Sequence, residues 1–167
     1  YSGGCCDKED NLFMMCRDTE HPVVMLDARG NYVKNFGKGL FQEVHSLCVT
    51  EEDTLLCVDT GLHVVRELTK DGEWIRDLGN LGVPSDSGFE KDVWRRMQRR
   101  GKIVPTDVAF DKGWSFWAGV QTIRRAAPPF NRPTGVCMGP KGDIFVSDGY
   151  GNAAVHRFSK DGTLLRT

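Results

Sequence analysis

Short apolar runs, each closed by a polar turn, follow one another along most of this chain. In the second quarter 55–59 (Leu-Leu-Cys-Val-Asp) leads through 64–68 (Val-Val-Arg-Glu-Leu) to the turn Lys70-Asp71-Gly72 and then Trp74-Ile75. The same grammar returns near the end, where 144–148 (Ile-Phe-Val-Ser-Asp) leads through 154–158 (Ala-Val-His-Arg-Phe) to Lys160-Asp161-Gly162 and Leu164-Leu165. A third copy opens the chain: 12–16, then 23–26, the turn Ala28-Arg29-Gly30, and Tyr32-Val33. None of these runs has a helical period. They predict short strands joined by hairpins, because Gly supplies the positive φ that a tight turn needs.

The turn glycines Gly30 and Gly72 are 42 residues apart and Gly72 and Gly162 are 90 apart, one period and then two. A repeat of about 40 residues built from four short strands is the pattern of a propeller blade, whose sheet buries both faces against its neighbours. Between Gly79 and Pro133 the pattern breaks down. Residues 80–88, rich in Gly, Pro and Ser, read as a loop, and 93–100 as a short basic helix. Residues 105–110, a turn at Lys112-Gly113 and 114–120 read as a half-blade hairpin, so the middle is either an insertion or an irregular blade.

A length of 167 residues suits one domain with a core of its own. Lys plus Arg number 22 and Asp plus Glu 23, a net charge of −1, so no global field draws nucleic acid or an anionic membrane. The longest apolar stretches, 22–26 and 54–58, are far shorter than the roughly 20 residues that cross a bilayer, which predicts a soluble chain without a membrane partner. The sequence begins at Tyr1 without Met or a basic-then-apolar leader, leaving a removed leader and a fragment both open.

The six cysteines, Cys5, Cys6, Cys16, Cys48, Cys57 and Cys137, occupy apolar strand positions and make no C-x-x-C pair, so small buried thiols are the simple reading. In a secreted protein Cys48 and Cys57, which flank the turn at 51–53, could form a cross-strand bridge.

Two stretches are specific enough to point to a family. Asn131-Arg132-Pro133-Thr134-Gly135-Val136, followed by 143–152, resembles the blade signature of NHL-repeat propellers. Within that group the sequence is most similar to the peptidyl-α-hydroxyglycine α-amidating lyases, the specific part being Ser147-Asp148-Gly149-Tyr150-Gly151-Asn152. Segments 17–24, 40–47 and 59–63 agree with the same branch in order, and the resemblance covers most of 1–79 and 128–167.

The resemblance implies an all-β chain carrying three to four four-stranded NHL-type blades of a six-bladed β-propeller, at roughly 1–37, 38–79 and 128–167, with 80–127 irregular or inserted. It also implies a zinc ion in the central channel, a structural calcium below it, and a peptide substrate cleaved to a peptide amide and glyoxylate. Position by position, Arg17 matches the channel arginine and Tyr150 the catalytic tyrosine, although the usual His-Arg-Gly is Cys16-Arg17-Asp18 here. His45 matches a zinc ligand, Leu47 a residue whose backbone carbonyl binds calcium, and Gly4 a second such carbonyl. Gly151 stands where animal lyases have a cysteine. The chemistry suits the residue types: an arginine pairs bidentately with a carboxylate, a tyrosine moves a proton, and zinc acidifies a hydroxyl. By resemblance the protein is secreted or periplasmic.

A catalytic zinc takes three protein ligands, and this sequence supplies one match. His21, His63 and His156 do not match the others. Either further blades follow, or a second copy closes the ring, or the channel chemistry is lost. The alternative function is a non-catalytic propeller that binds a protein partner through its loops. The cluster Arg95, Arg96, Arg99, Arg100 and Lys102, with Arg124, Arg125 and interleaved Trp94, Trp114 and Trp117, resembles a stacking and phosphate-contacting surface. The net charge favours a protein-docking loop over a nucleic-acid partner.

Overall fold

A computed structural model describes residues 1–93 and 112–167. Three antiparallel four-stranded sheets follow in chain order. The first holds β1 (Gly3–Cys6), β2 (Leu12–Met15), β3 (Val23–Leu26) and β4 (Tyr32–Phe36). The second holds β5 (Val44–Val49), β6 (Thr54–Asp59), β7 (Val64–Thr69) and β8 (Trp74–Gly79). After the helix α1 (Lys112–Val120), the third holds β9 (Gly135–Met138), β10 (Ile144–Asp148), β11 (Ala154–Phe158) and β12 (Leu164–Arg166). Each sheet is a simple meander, and the leading strands lie side by side, β1 against β5 and β5 against β9. This all-β arrangement is that of consecutive propeller blades.

Two apolar seams hold the sheets together. Phe13, Met15, Val23, Val44, Leu47, Leu55, Cys57 and Leu68 close the first against the second. Leu56, Val58, Val65, Leu78, Phe130, Ile144, Val146 and Phe158 close the second against the third. The middle sheet is therefore covered on both faces, which is why β6 and β7 carry unbroken apolar pairs and are buried along nearly their whole length. In β10 and β11 burial alternates, one face packed and one exposed.

Six hairpins share one turn. Asp7, Asp27, Thr50, Thr69, Gly139 and Ser159 each accept the amide of the third residue on and donate to the carbonyl of the fourth. The third residue has positive φ in every case: Gly30, Gly72, Gly142 and Gly162, as expected of glycine, but also Asp10 and Asp53. At Gly72 an ideal Cβ would also fall 2.7 Å from the Phe36 ring, so strand packing as well as φ requires glycine there.

One expectation is corrected and one open possibility is closed. Residues 114–120, read as a hairpin strand, are helical, and the short run Trp-Ser-Phe-Trp-Ala-Gly-Val satisfies either period until packing decides. The deciding contact is Gly119, whose Cβ would lie 2.9 Å from the Glu90 carbonyl and 3.0 Å from the Phe89 ring, so the helix sits directly on the preceding loop. The bridge between Cys48 and Cys57 is also not formed. Cys48 pairs with Leu56 and Cys57 with Leu47, so the two thiols point to opposite faces of the sheet. Residues 94–111, which include the rest of the expected basic helix and the strand at 105–110, lie outside the described residues.

Candidate active site

His45 and Tyr150, 105 residues apart, meet. His45 Nε2 lies 3.1 Å from the Tyr150 hydroxyl, and the two rings are edge to face at 5.1 Å. The backbone makes this possible at both ends. Val44 pairs with Asp59 and Ser46 with Val58, so His45 is the extra residue of a β-bulge, a device that re-aims a side chain relative to the regular pleat. Tyr150 follows β10 in a loop held by Asn131, with the Gly151 amide donating to the Asn131 carbonyl at 3.0 Å. A Cβ on Gly151 would fall 2.3 Å from Asn131 Oδ1, so no side chain, cysteine included, fits there.

Behind each residue stands a fully buried aspartate at the end of the second strand of its sheet. Asp59 accepts the amides of Gln42 (2.6 Å), Glu43 (3.1 Å), Gly61 and Leu62 (2.9 Å each), fixing the loop that leads into the bulge. Asp148 accepts the Asn131 amide at 2.7 Å and Asn152 Nδ2 at 2.8 Å, with His156 Nε2 at 3.3 Å, fixing the loop that carries Tyr150. Thr60 Oγ1 donates to the Pro133 carbonyl at 2.7 Å, and Arg132 pairs with Glu43 at 2.9 Å, tying the two loops to each other. This hydrogen bonding fixes the backbone from which both side chains project.

The middle segment reaches the same place. Phe116, on α1, packs edge to face on Tyr150 with ring centroids 5.0 Å apart, and Trp117 beside it is 63% exposed. The buried Ser87 hydroxyl donates to the Gly151 carbonyl. These contacts were not foreseen from the sequence, although the aspartates had a signal: the strand-ending Asp recurs at the same place in the two clearest repeats.

Arg17 lines a cleft of about 70 Å³ with Cys16, Asp18, Thr19, Pro22 and the stretch 41–44 that runs into His45. The guanidinium makes no hydrogen bond or ion pair among the described residues. Its neighbours are otherwise engaged, Asp18 with His21 at 3.0 Å and Glu20 with Lys38 at 2.5 Å. Leu47 packs in the first seam, and Gly4 stands on β1, the strand beside it.

His63 and His156 are structural, whereas His21 sits exposed against Asp18. His63 Nδ1 accepts the Arg132 amide at 3.0 Å, and burial, helped by the Arg132 charge, holds its pKa below the usual value. His156 is fully buried between Asp148 and the Phe130 ring.

Do these residues make a zinc site? Among the described residues the one group of three clustered metal-ligating side chains is Asp7, Glu9 and Asp53. It does not include His45 and already holds Lys70 Nζ, 3.0, 3.5 and 2.5 Å from the three carboxylates. His45 alone is short of the three ligands of a catalytic zinc, and two backbone carbonyls are short of the six or more oxygens of calcium. The described residues therefore do not complete either site. Of the basic cluster, Arg124 and Arg125 are exposed, and Arg125 pairs with Asp86. Arg95, Arg96, Arg99, Arg100 and Lys102 lie outside the described residues.

Comparison with known proteins agrees with the architecture. Residues 130–158 match the NHL repeat family. No curated protein sequence matches the chain. Among solved structures, virginiamycin B lyase from Staphylococcus aureus is similar with a TM-score of 0.56 at 13% identity, and a streptogramin B lyase with 0.58 at 14%. In each case the alignment covers 98% of this chain but 39% of the other, so the chain spans about two fifths of those proteins' length. At such identity the likeness concerns the fold alone: the chain is a set of propeller blades, the third of which holds the stretch that matches the NHL repeat.

Proposed function

We propose that this chain carries part of the active site of a propeller lyase that splits peptidyl-α-hydroxyglycine into a peptide amide and glyoxylate, with further blades or a second copy completing the ring. The observation that carries the reading is the contact between the Tyr150 hydroxyl and His45 Nε2, made across two sheets by a bulge and a pinned loop. That the two similar structures named above are lyases is consistent with it.

In this reading Arg17 holds the glyoxylate-side carboxylate by a bidentate pair, for which its free guanidinium and small cleft are suited. With His45 Nε2 donating to it, the Tyr150 hydroxyl acts as a relay, its oxygen taking the substrate hydroxyl proton while its own O–H proton is handed on. Taking that proton lets the hydroxyl oxygen form the aldehyde C=O as the C–N bond breaks. The proton handed on by Tyr150 goes in the same step to the departing nitrogen, so the amide leaves neutral and the enzyme is unchanged. Zinc and calcium belong to the reading only with donors from outside the described residues, and no step here is routed through them.

The test is glyoxylate and amide release from an α-hydroxyglycine-extended dipeptide by the complete protein. Removing a positioned proton-transfer group costs about 10²–10⁴ in rate, so Tyr150→Phe is expected to lower kcat by that factor and Arg17→Met to raise KM. An unchanged kcat in Tyr150→Phe, or no glyoxylate from the parent protein, would refute the proposal.

A further inference from the structure

Three of the six thiols, Cys5, Cys48 and Cys137, stand on β1, β5 and β9, the leading strands of successive sheets, which lie side by side. The register of the first two can be read from the packing. An ideal Cβ on Gly3 would fall 3.1 Å from Ser46 Cα and 3.3 Å from the His45 carbonyl, and the Ser2 hydroxyl donates to the Val44 carbonyl at 3.4 Å. Contacts from Ser2 to Val44 and from Gly3 to Ser46 advance together, so the strands run side by side in the same direction. Two residues further along each, Cys5 comes beside Cys48.

The side chains agree with the backbone. Cys5 packs onto the first apolar seam, and two residues earlier an ideal Cβ on Gly3 lies 3.6 Å from Ser46 Cβ, a separation that a disulfide between Cys5 and Cys48 would use; each thiol now donates to the carbonyl of the residue after it, Cys6 at 3.5 Å and Val49 at 3.4 Å. Burial pushes the Cys48 thiol up to about 11, the Cys5 and Cys137 sulfurs add to this, and the Met138 amide opposes it. Cys57, by contrast, is fully buried in the first seam, on the opposite face of its sheet from Cys48, while Cys6 alternates to the other side of β1.

We propose that Cys5 and Cys48 are a reversible redox pair whose disulfide staples the first blade to the second at their leading strands. The oxidant is a small disulfide such as oxidised glutathione. The Cys5 thiolate attacks one glutathione sulfur and expels a glutathione thiolate, forming a mixed disulfide. Cys48 then loses its proton, attacks the Cys5 sulfur and expels the second glutathione thiolate, so two protein sulfurs are oxidised and two glutathione sulfurs reduced. Capping Cys5 removes the neighbouring charge that opposes ionisation of Cys48, and the Met138 amide is in place to receive the new anion. The staple lies three residues beyond His45 on the same strand, so it fixes the wall from which that side chain projects.

The experiment equilibrates the full chain in mixtures of oxidised and reduced glutathione, quenches with N-ethylmaleimide, and maps the peptides without reduction. The expected result is loss of two of the six titratable thiols in one intramolecular cross-link. It should be reversed by dithiothreitol, abolished by Cys5→Ser or Cys48→Ser, and retained in Cys6→Ser and Cys137→Ser. Cys57 is the internal control, since its labelling before denaturant marks unfolded molecules, and the cross-link is scored only where Cys57 is protected. A bridge from Cys48 to Cys137, a bridge that survives Cys5→Ser, or a stable glutathione adduct at Cys5 without ring closure would each overturn the proposal.

Discussion

Phe130→Ala should open the seam on which the candidate site depends. Phe130 is 0% exposed and packs in the second seam with Leu56, Val65, Leu78 and Phe158. Its ring meets His156 at 5.3 Å and Phe158 at 5.4 Å, and its edge lies where a Cβ on Gly79 would be, 2.6 Å away. Truncating a fully buried Phe costs about 3–5 kcal/mol. Two aromatic contacts, worth about 0.5–1.5 kcal/mol each, place this site in the upper part of that range. Relaxation into the cavity is restricted, because the neighbours are strand residues whose register is set by both sheets. With a urea slope of about 2 kcal/mol/M, the unfolding midpoint should fall by about 2 M at unchanged slope, while Phe130→Leu should lose well under half of that. Since the seam joins the sheet of His45 to that of Tyr150, the variant should also weaken their contact, seen as altered histidine and tyrosine ring resonances. A midpoint shift below about 0.5 M at unchanged slope would refute this account of what binds the two blades.

Lys70→Met tests the polar clamp between the first two sheets. Burial works to raise the Asp7 pKa, but hydrogen bonds from the Asn11 and Lys70 side chains and from the Asn11 and Glu9 amides outweigh it and hold the group at about 2. Its stabilisation is therefore present above the unfolded value near 4 and lost as pH falls toward about 2, amounting to about 2 kcal/mol. The variant should melt lower at pH 7 and show a shallower loss of stability between about pH 4 and 2 by calorimetry; an unaltered acid limb would contradict the assignment. Arg66, buried, reaches both Asp77 carboxylate oxygens at 2.8 Å and donates to the Leu40 carbonyl. Arg66→Met should cost about 3–5 kcal/mol by stranding Asp77, whereas Arg66→Met with Asp77→Leu should lie closer to the parent. Additive losses in denaturant titrations would exclude coupling between them.

Legibility in the sequence followed how local each determinant is. The hairpins were readable because their turns are set within five residues, though Asp10 and Asp53 show that aspartate also adopts the positive φ that glycine usually supplies. The helix at α1 was missed because a short apolar aromatic run fits two periods, and its partner, the Glu90 carbonyl, lies 29 residues earlier than Gly119. Tyr150 and His45 could be named from a motif. Their meeting could not, because it depends on a one-residue bulge that no composition signals.

By itself, then, the chain determined its strands, its turns and its blade period, since alternation and turn chemistry act between near neighbours and survive any packing. Tertiary structure alone decided which faces meet. It turned Cys48 away from Cys57, laid Phe116 on Tyr150, and brought an imidazole and a phenol 105 residues apart within 3.1 Å. The reason is that such contacts are fixed by the relative placement of whole sheets, which depends on the summed burial along both seams rather than on any local run of residues.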